Sequence, residues 1–227
     1  MESLEQPKSL VDQAYRVILD AICNGTFKAG DRMTQDEIAT RLNVSRQPVT
    51  HALAMLKTQG FLIESGRRGL AVAPVDPRFF EAIYQFRSAV EPLAVRLATP
   101  RMSADAIRRG RTLVAHGREM VQANDGQAVV QADIDFHTLI YALSGNPMIV
   151  DTMQINWQHL RRAMGEVLQY PGLSIQVWKE HSAILEAMIK GEAEVAAKLM
   201  YDHIVGAFER VGGKSARDWA RQNCSRQ

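Results

Sequence analysis

The sequence predicts a mainly α protein: an N-terminal winged helix-turn-helix followed by an all-helical bundle of about six helices. Three observations carry this. Three capped helical segments, the last two joined by a tight turn, precede two short apolar runs around Gly66-Arg67-Arg68-Gly69. The stretch Pro74-Val75-Asp76-Pro77 then breaks the chain with two prolines. Beyond it the 3.6-residue apolar period recurs with no strand pattern.

The elements follow in order. Ser9 is placed to cap a helix carrying Leu10, Ala14, Val17, Ile18, Ala21 and Ile22 at helical spacing, and Asn24-Gly25 stops it. After a turn around Ala29-Gly30-Asp31, Thr34-Gln35-Asp36-Glu37 has the form of a capping box and opens a short helix. The next stretch, VSRQPVTHALAMLKTQG (44–60), places Ser45 as N-cap and Pro48 in the first turn, where a missing N–H costs no helical bond. Val49, Ala52, Leu53 and Leu56 form its inward stripe. Gln47, Thr50, His51 and Ala54 then face outward, with Arg46 and Lys57 at the flank. FLIES and LAVAP, on either side of the Arg67-Arg68 tip, read as a wing hairpin. A bundle with a merely solvated outer face is the plainer alternative, but caps, turn and wing agree on a helix built to enter a major groove.

Residues 1–74 thus form a DNA-binding domain, 75–77 a linker, 78–211 a helical domain and 212–227 a polar tail. Helices are expected near 78–98, 103–123, 127–143, 148–168, 174–190 and 192–211, with a kink at Pro92. The 227 residues contain 46% hydrophobic and 23% charged side chains, a composition that supports packed cores and argues against disorder. No run approaches the roughly 20 apolar residues of a membrane span. Two distant cysteines, Cys23 and Cys224, suggest no disulfide framework, so a cytoplasmic protein is expected, at the nucleoid when bound to DNA. The first 75 residues hold nine Lys/Arg against eight Asp/Glu, so DNA binding must rest on where charge is placed.

Four polar groups interrupt the apolar faces of the helical domain. His137 lies on the stripe of Val130, Ile134 and Ile140, and Asp133 precedes it by one turn. His181 and His203 occupy similar faces on two other helices. Burying all four without partners would cost several kcal/mol. Each histidine taken alone reads as a hydrogen-bonded core residue; together they read as ligands of a divalent Zn, Ni, Mn or Fe ion. Arg87 also faces inward, either to take an anionic effector or to pair with Glu91 at i+4.

With these residues the chain resembles the GntR family of bacterial transcription regulators, in its FadR-like branch with a helical FCD effector domain. The resemblance covers about residues 9–211 and rests on GTFKAGDRMTQDEIATRLNVSRQPVTHALAMLKTQGFL, the Gly-Arg-Arg-Gly wing, FRSAVEPLAVRLA, DIDFHTLIYALSGNP and EHSAILEAMIKGEAEVAAKLMYDHI. It implies a homodimer on double-stranded operator DNA and a metal-assisted pocket for a small carboxylate metabolite. The family's ligand positions fall on Asp133, His137, His181 and His203. Two departures stand out: Asp36 where relatives commonly carry arginine, and Thr50-His51 where they commonly carry Arg-Glu. DNA contacts are expected from Arg46, Gln47, Thr50, His51, Arg67 and Arg68, and effector contact from Arg87. The expected activity is ligand-responsive repression and not catalysis. A metal-dependent enzyme with an appended DNA-binding module is the rival, because an open metal position can activate water.

Overall fold

The computed structural model describes residues 9–66, 69–167 and 171–224, with side chains placed for 9–66, 69–164 and 175–210. The chain divides into two compact units, 1–75 and 76–227.

In the first unit, α1 (Leu10–Cys23) begins at Ser9, whose hydroxyl accepts from the Asp12 N–H, and ends at Asn24. Gly25 follows at φ +79°, a left-handed conformation that favours glycine. Helix α2 (Gln35–Leu42) starts with Thr34 accepting from the Glu37 N–H at 3.3 Å. The Thr34 hydroxyl in turn donates to Glu37 Oε2 at 2.8 Å, which closes the box through the side chains. Asn43, in the left-handed region, turns the chain into α3 (Arg46–Thr58). Ser45 stands at the cap position of α3, yet its side chain makes no capping bond, contrary to the sequence expectation. Pro48 in the first turn removes one orphan donor, so that end demands less of its cap. Val49, Ala52, Leu53 and Leu56 are essentially inaccessible and pack with Ile18, Ile22, Ile38, Phe61 and Leu62.

The wing strands β2 (Leu62–Ser65) and β3 (Gly69–Val72) pair antiparallel, Leu62 opposite Val72 and Ser65 opposite Gly69. A third strand, β1 (Arg32–Met33), pairs with β3 through Arg32↔Ala71 and Met33↔Leu70, giving the order β1-β3-β2. The sequence pattern assigns Arg32-Met33 no element, because two residues cannot display an alternation. Met33 nevertheless buries its side chain in the core of the unit.

The second unit contains α4 (Pro77–Ala98), a 3-10 turn at Thr99–Arg101, α5 (Ala104–Ala123), α6 (Gly126–Ser144), α7 (Pro147–Val167), α8 (Pro171–Ile189) and α9 (Ala193–Cys224). Asp76 caps α4 by accepting from the Arg78 N–H, with Pro77 at the first position, and the helix continues as one element through Pro92. Ser103 and Asp125 cap α5 and α6 in the same way. Helix α4 packs along α9 and α6, and α8 packs between α5 and α9. Gly110 and Gly117 let α5 approach α8: a Cβ on Gly110 would lie 2.7 Å from Leu185 Cδ1, and one on Gly117 would overlap the Trp178 ring. Helix α9 does not stop near 211 but runs to Cys224. Gly212-Gly213 costs helix propensity without forbidding helix, and the Lys, Ala, Arg and Gln that follow favour it.

Candidate metal centre and DNA-reading surface

Three helices bring the four interior polar residues together. Helix α6 supplies Asp133 and His137 one turn apart, α8 supplies His181 and α9 supplies His203. One ligand atom from each lies within 4.8 Å of all the others. His181 Nε2 is 3.3 Å from Asp133 Oδ1 and 3.3 Å from His203 Nε2, while His137 Nε2 is 4.0 Å from Asp133 Oδ1. The rings of His137 and His181 are fully buried, His203 is 4% exposed and Asp133 8%.

Carboxylates stand behind two of the rings. His203 Nδ1 lies 2.8 Å from Glu180 Oε2, which also accepts from Arg210 at 2.9 Å. A proton on Nδ1 facing Glu180 leaves the Nε2 lone pair directed at the cluster. His137 Nδ1 lies 2.6 Å from Glu91 Oε2 without meeting hydrogen-bond geometry. His137 Nε2 and His181 Nδ1 are buried with no hydrogen-bond partner. Aromatic rings wall the site: Phe136 stacks on His181 at 4.3 Å, Trp178 meets it edge-on at 4.8 Å and Trp157 lies 5.2 Å from His137.

The electrostatics of His181 and His203 agree with unprotonated rings. Burial, with His203 and His137 nearby, pushes His181 well below the ordinary histidine range. Burial also lowers His203, against an upward pull from Glu180. Burial would raise Glu180, but its bonds to His203, Gln176 and Arg210 bring it down to about 2. Neutral imidazoles and an ionised carboxylate are the forms that ligate a metal. Bonds of about 2.0–2.1 Å to a tetrahedral ion place ligand atoms about 3.3–3.4 Å apart. The two shortest separations match that edge, and the unpartnered Nε2 of His137 beside them is what an ion would satisfy, so the residues fit a divalent transition metal.

Arg87 is brought to the same region, and its Nε donates to Glu91 Oε1 at 2.5 Å. It is 2% exposed and Glu91 is fully buried. The guanidinium lies 4.4 Å from the Trp157 ring centre and 5.2 Å from that of Tyr84. Burial alone would raise the Glu91 carboxyl, yet Arg87 and His137 hold it well below the usual range. The tyrosines behave as buried neutral groups: desolvation lifts Tyr84 to about 12 and Tyr141 well above the usual value. Of the two sequence readings of Arg87, the i,i+4 pair is present, and through Glu91 it is connected to His137.

On α3, Gln47, His51 and Ala54 are exposed and Thr50 is half-buried. The Thr50 hydroxyl donates to the Arg46 carbonyl at 2.9 Å. Arg46 projects into solvent and forms an ion pair with Asp36 of α2, so the unusual acid at position 36 has a partner inside the unit. Arg67 and Arg68 lie outside the described residues. Nothing in the sequence pattern points to Glu180, Trp157 and Arg210, which surround the acid–histidine cluster. Glu180 lies 23 residues from His203, and no local spacing signals that pairing.

A winged helix-turn-helix unit followed by a helical unit with a buried acid–histidine cluster defines a transcription regulator with a DNA-reading part and a second, helical part. The gntR family of bacterial regulatory proteins matches residues 10–72 and the FCD domain matches residues 82–206. The chain belongs to the GntR family of bacterial transcription regulators, with an FCD domain as its helical unit. Family and relatives are regulators and not enzymes, which sets the rival reading aside. The Nta operon transcriptional regulator of Aminobacter aminovorans is 26% identical over 82% of this chain and 86% of its own length. The putative L-lactate dehydrogenase operon regulatory protein of Escherichia coli is 25% identical over 87% of this chain and 84% of its own. The E. coli McbR/YncC structure, 18% identical, has the same fold: TM-score 0.81, covering 92% of this chain and 99% of that one.

Proposed function

We propose that the protein is a repressor that binds operator DNA as a homodimer and responds to a small carboxylate metabolite held by a divalent transition metal in the FCD domain. The observation that carries this reading is the buried Asp133/His137/His181/His203 cluster, in which the Nε2 of His137 has no hydrogen-bond partner. Polar atoms in that state cost several kcal/mol unless something satisfies them. Bound there, a Zn, Ni, Mn or Fe ion supplies a Lewis-acidic position that attracts an oxygen anion. Glu180 keeps Nε2 of His203 turned inward. Arg87, held on its Nε edge by Glu91 and stacked over Trp157, offers its remaining N–H groups to the effector carboxylate. The name of the L-lactate dehydrogenase operon relative includes a metabolite of this chemical class.

Arg46, Gln47, Thr50 and His51 meet the major groove, and Arg67 and Arg68 grip the backbone or minor groove beside it. Phe79, Phe86 and Leu93 recur every seven residues on α4 and remain exposed, a stripe suited to a second copy of the chain. Effector binding alters DNA affinity only by favouring one arrangement of the dimer over another. A thermal-shift screen of small carboxylates with and without chelator tests this. A stabilising ligand whose effect vanishes on chelation is expected, and stabilisation indifferent to chelation counts against the metal.

A further inference from the structure

The flank of α3 carries two exposed cations, and both are already paired with carboxylates of the same unit. Arg46 contacts Asp36 of α2 through its Nε, and Lys57 Nζ donates to Glu64 Oε1 of β2 at 2.5 Å. Arg46 is 72% and Asp36 64% exposed. Pairs this exposed contribute little to stability. Their effect falls on partners: non-specific DNA binding comes mainly from Lys and Arg neutralising phosphates. A cation in a carboxylate's grip must exchange that partner before it can neutralise a phosphate. The released carboxylate then stays beside the backbone and repels it.

Asp36 makes its closest approach to the guanidinium of Arg46 at Nε, on the side away from the end of the side chain. The two terminal nitrogens at that end form the fork that meets O6 and N7 of guanine. Base reading is therefore compatible with the Asp36 pair, whereas wandering onto phosphates competes with it.

We propose that Asp36 is a specificity-determining positioning residue, which aims Arg46 at a base edge and withholds it from phosphates, with Glu64 withholding Lys57 in the same way. The argument rests on α3 being the reading helix, and the test separates the two ideas.

Full-length wild type, Asp36→Asn, Arg46→Gln and the double variant are titrated with a random-sequence duplex over a range of salt concentrations. Each is also used to select from a duplex library with a randomised core. Asp36→Asn is expected to bind the random duplex roughly three- to five-fold tighter, the size of one exposed ion pair. Its log–log salt slope should steepen by about 0.9, one added phosphate contact. Its selected sequences should lose preference at one guanine, and the double variant should match Arg46→Gln. Unchanged affinity and slope in Asp36→Asn, while Arg46→Gln weakens binding, would overturn the proposal and leave the reading helix intact. A gain that persists in the Arg46→Gln background would overturn it in favour of bulk charge. Arg46→Gln without effect on either DNA would overturn the reading helix and the proposal together.

Discussion

Replacing Glu91 with Gln should expose the energetic role of the Arg87 pair. The substitution conserves volume and removes one charge from a pair whose members are 2% and 0% exposed. Breaking a buried pair by removing one partner costs about 3–5 kcal/mol, because the remaining charge is left uncompensated. Trp157 and Tyr84 face the guanidinium in both forms, so their contribution cancels. The new amide oxygen can still accept one bond from Arg87, which returns about 1 kcal/mol. The expected loss is therefore about 2–4 kcal/mol. Urea unfolding in the presence of chelator measures it, and removes any stabilisation by bound metal. Tryptophan fluorescence is the suitable probe, since Trp157, Trp178 and Trp219 all belong to the second unit. With a slope near 2 kcal/mol/M, the midpoint should fall by about 1–2 M. Combining Glu91→Gln with Arg87→Met should recover much of the loss, as buried charges leave together. A single-variant loss below about 1 kcal/mol would refute the reasoning, since Arg87 would then have another partner that compensates it.

Gly117→Ala should destabilise the second unit by about 2 kcal/mol, since overlap with the buried Trp178 ring outweighs the gain of about 1 kcal/mol in helix propensity. The same urea titration reports it, and a neutral outcome would mean that α5 and α8 can separate freely. Glu180→Gln should weaken metal affinity by about 10- to 100-fold by releasing the His203 ring from its orienting carboxylate. Competition against a chromogenic chelator measures this, and unchanged affinity would show that His203 is held by other means.

Local rules made much of this molecule readable in advance. Side-chain caps at Ser9, Thr34 and Asp76 start their helices where serine, threonine and aspartate satisfy early N–H groups. The acid–histidine cluster was legible because each member interrupts an apolar face, and three such faces must meet in one core. Ser45 shows the limit of that reasoning: it occupies its cap position without making the bond. Contacts between distant segments left no trace in spacing. The Glu180–His203 bond, the Asp36–Arg46 pair and the Trp157 cradle under Arg87 each join elements whose register is set by tertiary packing. β1 was invisible for a different reason, since two residues gain strand character only from the neighbour they pair with.

Cys23 lies 6% exposed in the core of the first unit, on the α1 face that meets α3, while every indole belongs to the second. The chain therefore carries a chemical reporter for one unit and an optical reporter for the other. In a Cys224→Ser background, the rate of thiol labelling at Cys23 measures how often the DNA-binding unit opens. Recording it beside indole fluorescence, as metal and carboxylate are added, would show whether an event in the bundle changes the opening free energy of the other unit, with no added dye and no need to know the operator.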